Sequence, residues 1–218
     1  MIREIFDIYN SNWSQILVWS LLIIFPVTTL SFIFLIYFNW SEDVLIPEYL
    51  SGFLLFINFI ICIPPFMKMV IQTKNDEYIN STEGLLVFMK QFGILFIITM
   101  VLYFIAIVGA TFLFIPTVFA LLFLLVFPFF SDSISVKNVY QKTIHTIIRE
   151  NFALLGDLLI VFSLNIACWG ITMIFVSQYE NNILSFLIIR ILLNIFIFPF
   201  LYIYLTIRYR KDVFEYVH

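Results

Sequence analysis

Among the polar side chains that interrupt the long apolar stretches of this chain are Asn58, Asp157, Asn165, Arg190 and Asn194. Such groups are costly inside a bilayer, so they mark proton or ion pathways, ligand sites or bonds between helices. Arg190 and Asn194 are four residues apart and share a helix face. A hairpin turning around residues 179 and 180 sets Asn165 level with Asn194, Arg190 with Trp169, and Asp157 with Tyr202. This register predicts an Asn165–Asn194 hydrogen bond, with Arg190 over the Trp169 ring. Asp157 and Arg190 differ in depth by about 12 Å, too far for an ion pair. Each is near enough to an interface to snorkel. Asn58 reads as a contact between helices.

Catalytic sets are missing from these stretches. Intramembrane hydrolysis requires a nucleophile with its base, paired carboxylates or metal ligands. His145 falls on a polar interfacial face, His218 is the last residue, and Asp157 is the one carboxylate within a span. There is no HExxH, GxSxG or glycine-rich phosphate loop. The expectation is a non-enzyme with no cofactor and no metal. Cys62 and Cys168 sit in apolar runs and read as small hydrophobes. A net charge of -3 gives no reason to expect a nucleic-acid partner.

The elements that must position these residues are membrane helices. Hydrophobic residues make up 63% of the 218, charged residues 11%, and mean hydropathy is +1.07. Soluble domains carry roughly 25% charged residues, so the bilayer has to be the solvent and the partner of most side chains. A span needs about 20 apolar residues. Runs of that order lie at 15–38, 51–72, 92–111, 114–130, 153–176 and 183–207, predicting an all-α polytopic bundle of six transmembrane helices in three hairpins. The first run is too long for a signal peptide and reads as a retained span. Gly109 and Pro116 bracket the break between the third and fourth runs, as a tight turn or a re-entrant segment. Ala106 and Ala110 have the small-xxx-small spacing of close packing.

Charge placement orients the bundle. Arg3, Lys68, Lys74, Lys90, Lys137, Lys142, Arg149, Arg208, Arg210 and Lys211 fall in segments assigned to one side. The opposite loops carry Glu42, Asp43, Glu48 and Glu180. Both termini are expected in the cytoplasm of a bacterial plasma membrane, with Arg190 the one basic residue inside a span.

Three amphipathic helices are expected on the cytoplasmic side. In residues 136–150, Val136, Val139, Tyr140, Ile144, Ile147 and Ile148 form one face, opposite Gln141, His145 and Arg149. The N-terminus sets Ile2, Ile5, Phe6 and Tyr9 against Arg3, Glu4, Asp7 and Asn10. Asn80 and Glu83 have capping-box spacing and open a third helix through Phe88. Each ends on an amide–aromatic pair ahead of a span: Asn12-Trp13, Gln91-Phe92 and Asn151-Phe152. The pattern predicts a threefold repeat of interfacial helix, elbow and hairpin, with Trp13, Phe92 and Phe152 as interfacial elbows. Prolines at 26, 64, 65, 128 and 199 interrupt spans, a feature of transporters and also an ordinary one of membrane helices.

Phe114-Ile115-Pro116, the run Phe127-Pro128-Phe129-Phe130, the basic helix, Glu150-Asn151-Phe152, and Pro199 through Tyr209-Arg210-Lys211-Asp212 together carry a resemblance. Over residues 84–212 the chain resembles uncharacterised six-span bacterial proteins related to the membrane domain of glycerophosphoryl diester phosphodiesterases. Phe25-Pro26-Val27-Thr28 and Lys90-Gln91-Phe92 resemble the DUF624-type proteins of Gram-positive bacteria. Ser133 and Thr143-Ile144 depart from the first family, which has an acidic residue and an Ala-Leu pair there. That resemblance implies a non-catalytic membrane domain, because the family's phosphodiesterase chemistry sits in a separate soluble domain. The expected role is accessory or scaffolding, beside a transporter or another membrane protein, or in envelope stress or peptide resistance. A small transporter or permease subunit, and an immunity protein against a membrane-active peptide, are the alternatives.

Overall fold

In lipid, backbone polar groups have no water to pair with, and a helix satisfies them within its own segment. A computed structural model describes residues 2–40, 47–78, 80–112, 114–132, 136–177 and 182–211. It is an all-α polytopic bundle, 92% helical and without strands among the described residues. Five stretches are long and apolar enough to cross a membrane: Trp13–Phe38, Glu48–Lys74, Ser81–Gly109, Phe152–Val176 and Ile183–Tyr209. A sixth apolar stretch, Ile115–Phe130, is shorter.

The chain begins with α1 (Ile2–Ser11), turns at Asn12, and enters α2 (Trp13–Trp19). A π-helical turn over Ser20–Ile24 leads into α3 (Phe25–Trp40). The return passes through α4 (Pro47–Ile61), a break at Cys62, and α5 (Ile63–Lys74). Then come α6 (Ser81–Gly109), α7 (Ile115–Val126) with a 3₁₀ turn over Phe127–Phe130, α8 (Val136–Glu150), α9 (Phe152–Ser177) and α10 (Ile183–Tyr209). The pairs α3·α4, α6·α7 and α9·α10 pack as hairpins. The α4–α5 stretch is central, with 72% of its apolar window buried against 22–33% for the other four long stretches. Their remaining side chains face outward, where lipid is the expected contact.

The break at Gly109 and Pro116 is a tight turn. A Cβ on Gly109 would stand 2.7 Å from the Thr117 backbone nitrogen, so only glycine allows this approach. Thr117 Oγ1 donates to the Ala106 carbonyl at 2.7 Å, and Phe114 takes φ 60°. Ala106 and Gly109 form the packed face, whereas Ala110 is exposed.

Two elbows exist and one does not. Asn12 is buried and donates to the Ile8 carbonyl and to Thr73 Oγ1, tying α1 to α5. Asn151 takes φ 46°, the left-handed conformation asparagine tolerates, between α8 and α9. Gln91-Phe92 instead lies within the unbroken 29-residue α6. Asn80 caps that helix by accepting from the Thr82 amide, so the expected third interfacial helix is its first turns. Glu83 pairs with Lys68 and Gln72 of α5, at 2.7 and 3.1 Å.

The faces of α1 and α8 also differ from expectation. Ile5 and Ile8 are the packed residues of α1, while Ile2 and Phe6 are exposed. In α8 the bundle-facing stripe is Val139, Thr143 and Thr146, and Tyr140 and Ile148 point outward. Threonines can face protein because they return their hydroxyls to their own helix: Thr143 Oγ1 donates to the Val139 carbonyl. The stripe is therefore split: Val139 and Ile147 pack on the bundle, and Tyr140 and Ile148 remain available to lipid.

The proline breaks are closed by protein. Pro199 lacks the N–H that the Ile195 carbonyl would accept, and Ser20 Oγ donates to that carbonyl at 3.5 Å. At the α4–α5 break, Tyr202 donates its hydroxyl to the Phe59 carbonyl at 2.7 Å.

Candidate functional site

A cavity of about 380 Å³ lies between α4, α7, α9 and α10. Its walls are apolar, among them Phe56, Phe59, Leu125 and Val161, and its polar lining consists of Asn165 and Arg190. The apolar walls follow from α4, α7 and most of the α9 face, which present glycine, aliphatic and aromatic residues to the space. The polar group arises where α10 carries arginine opposite an asparagine of α9.

The structure joins Arg190 to Asn165 rather than Asn165 to Asn194. Arg190 Nη2 donates to Asn165 Oδ1 at 2.9 Å and Nη1 to the Asn165 carbonyl at 3.4 Å. Asn165 Nδ2 returns to the Val161 carbonyl of its own helix. Hairpin register gives the right helices but not the right partner, because equal depth does not say which way each side chain turns. Asn194 faces the opposite way, donating to Thr28 Oγ1 at 3.3 Å, and Thr28 donates to Asn58 Oδ1 at 3.1 Å. Asn58 is therefore a helix contact, as its sequence position suggests. Asn194 Oδ1 is buried without a partner.

Arg190 is 1% exposed and does not snorkel. Its guanidinium carbon stands 5.8 Å from the Phe32 ring centroid. The expected stack of Arg190 on Trp169 falls on a side chain outside the described residues. Arg190 Nε is buried and has no hydrogen-bond partner. Insertion scales put an arginine at a helix centre at roughly +2.5 to +3.5 kcal/mol, and among the described residues its partners are the neutral Asn165 and Phe32.

Asp157 is equally buried and belongs to a different constellation. Tyr204 and Tyr209 donate their hydroxyls to its two oxygens at 2.7 and 3.2 Å, and Arg208 Nε stands 2.9 Å from Oδ2. Glu150 lies 3.7 Å from Arg208 and 3.1 Å from Arg149, whose Nη2 donates to the Tyr209 carbonyl. Two carboxylates and two guanidiniums balance. This network pins the α8–α9 elbow to the end of α10, and snorkelling of Asp157 gives way to pairing. Sequence reasoning placed Asp157 beside Tyr202. The partners sit further along the same helix, and Arg208 was assigned to a basic end instead of to a carboxylate.

Near that end, Arg210 Nε donates to the Phe129 carbonyl at 2.6 Å and the guanidinium pairs with Asp132. Of the elbow aromatics, Trp13 stacks with Phe196 across helices, at 6.3 Å between centroids. Phe152 is 80% exposed, and along its own helix Phe92 meets Phe88 edge-on and stacks with Phe96. The acidic loop residues Glu42, Asp43 and Glu180, together with Ser133, Asp212 and His218, fall outside the described residues. Searches against known families, curated proteins and solved structures return no match to this chain.

Proposed function

We propose that this chain is a non-enzymatic accessory or scaffold protein of a bacterial plasma membrane, acting by binding rather than by chemistry. The observation that carries the reading is the cavity lining. Among the described residues its walls are aliphatic and aromatic with Asn165 and Arg190 as the polar groups, a lining suited to holding an apolar molecule. The second buried constellation, around Asp157, is charge-balanced and engaged by protein hydroxyls. The motif resemblance of residues 84–212 to a non-catalytic membrane domain agrees with this reading.

The proposal includes six spans and cytoplasmic termini. Lys68, Lys74, Arg149, Arg208 and Arg210 belong to helix ends that share ion pairs or hydrogen bonds with α1, α6 and α8, while Glu48 opens α4 at the opposite end. The sixth stretch has 12 α-helical and 4 3₁₀ residues. At about 1.5 and 2.0 Å rise these give roughly 26 Å. That is a little short of a ~30 Å hydrocarbon core, and local bilayer thinning accommodates such a mismatch.

A permease subunit is the second reading. It is favoured by the unpartnered Asn194 oxygen at the end of the Asn58–Thr28–Asn194 chain, beside a π-helical turn. Two measurements on the full chain separate the readings. Native gels of gently solubilised membranes should show it in a stoichiometric complex with another membrane protein. Liposomes holding the purified chain alone should take up labelled amino acids and ions no faster than empty ones. Uptake that is lost in Asn194→Leu would overturn the accessory reading.

A further inference from the structure

The basic residues of the described chain divide sharply by their partners. Every half-buried or buried lysine or arginine other than Arg190 has a carboxylate. Lys68 has Glu83, Lys74 has Glu4, Arg149 has Glu150, Arg208 has Asp157, and Arg210 has Asp132. Arg190 is 1% exposed, lines the largely apolar cavity, and pairs with the neutral Asn165 and the Phe32 face. A guanidinium carries five N–H donors suited to a forked contact with two oxygens of a carboxylate or phosphate. Its buried Nε has no acceptor, so part of that fork is unused.

The cavity continues from this cation along the bundle. Gly52 and Arg190 lie near the first turns of α4 and α10, whereas Ile60 and Leu125 lie near the far ends of α4 and α7. The space is therefore elongated, with its charge toward one end and hydrocarbon walls beyond it. Its volume of about 380 Å³ lies within the roughly 300–1,000 Å³ of ligand sites and gives room for an alkyl chain. We propose that the cavity is a binding site for an anionic amphiphile, whose carboxylate or phosphate meets Arg190 and whose acyl chain runs between α4, α7 and α9. The site does not depend on whether the chain has a protein partner.

The test uses the full chain, delipidated in a bulky non-ionic detergent, with dodecanoate, dodecyl phosphate and dodecanol as probes. Thermal unfolding midpoint is read against probe concentration. Dodecanoate or dodecyl phosphate should raise the midpoint saturably, and dodecanol, with the same tail and no charge, should not. A response confined to dodecanoate assigns free fatty acids, and one to dodecyl phosphate assigns a phospholipid headgroup. Arg190→Gln should weaken the anionic probe by about tenfold or more, as expected for a charge-assisted bond. Val161→Phe keeps the cation and fills the cavity, so it should weaken both anionic probes even if Arg190→Gln folds poorly. Equal shifts by dodecanol, or full anionic binding by Val161→Phe, would overturn the proposal.

Discussion

Arg190 and Asp157 share the same near-zero exposure yet solve their burial in opposite ways. Asp157 is held by two phenols and a guanidinium, so removing it strands a cation and two hydroxyls. Breaking one partner out of a buried pair costs about 3–5 kcal/mol. We predict that Asp157→Leu lowers stability toward the lower part of that range, because Arg208 retains Glu150, whereas Asp157→Asn loses less. Chemical unfolding in detergent micelles reads the difference, and equal stability of Asp157→Leu and wild type would refute the network. At this scale the sequence identified the residues better than their pairs. Hairpin register is a statement about depth, and it carries no information on helix rotation. Rotation turns Arg190 to α9 and Asn194 to α3, although the two are a single turn apart.

Helices show where local signals outrank motif repetition. The amide–aromatic pairs at 12 and 151 coincide with breaks because each asparagine leaves helical geometry: Asn12 has ψ 18° and Asn151 φ 46°. Gln91 has no such tendency, and the Asn80 cap starts a helix that nothing interrupts before Gly109. Two glycines of α6 provide a matched test. A Cβ on Gly84 would meet the Trp19 ring at 2.3 Å, and that ring is itself buried and donates to the Ser81 carbonyl. A Cβ on Gly93 would meet nothing within 4 Å. Gly84→Ala should destabilise by about 1–3 kcal/mol through overpacking. Gly93→Ala should be neutral or stabilising by up to about 1 kcal/mol, since alanine restricts the unfolded chain. Paired thermal melts check both signs, and a destabilised Gly93→Ala would mean that α6 does bend at the expected elbow. That Tyr140 and Ile148 of α8 face outward while Val139 faces protein is hidden for a related reason. Periodicity locates an apolar face without saying whether lipid or protein receives it.

For the whole molecule, composition sufficed for fold class, because a chain this apolar has few alternatives to a helical bundle. Span number was less legible, since the sixth stretch owes its length to a 3₁₀ turn around Pro128 that hydropathy does not distinguish from a helix. The proposed orientation makes a direct prediction. A membrane-impermeant maleimide on intact cells should label a cysteine placed at Glu180 and leave one at Asp76 or Asn138 unlabelled until the membrane is opened. The native thiols Cys62 and Cys168 are buried and should stay silent throughout. Labelling of Asn138→Cys in intact cells would invert the topology.

The polar contacts between the first hairpin and α10 also bear on how the chain is assembled. Ser20 and Ile195 are 175 positions apart, Thr28 and Asn194 are 166 apart, and Phe59 and Tyr202 are 143 apart. Each of these contacts joins the first hairpin to α10, so none can form until α10 has left the ribosome. Until then the first hairpin lacks these α10 partners for its hydroxyls and for the Phe59 carbonyl. Insertion of α10 is accordingly the event that completes the early hairpin. A nascent chain stopped before it carries polar groups without their native partners, the kind of defect that membrane quality control is suited to detect.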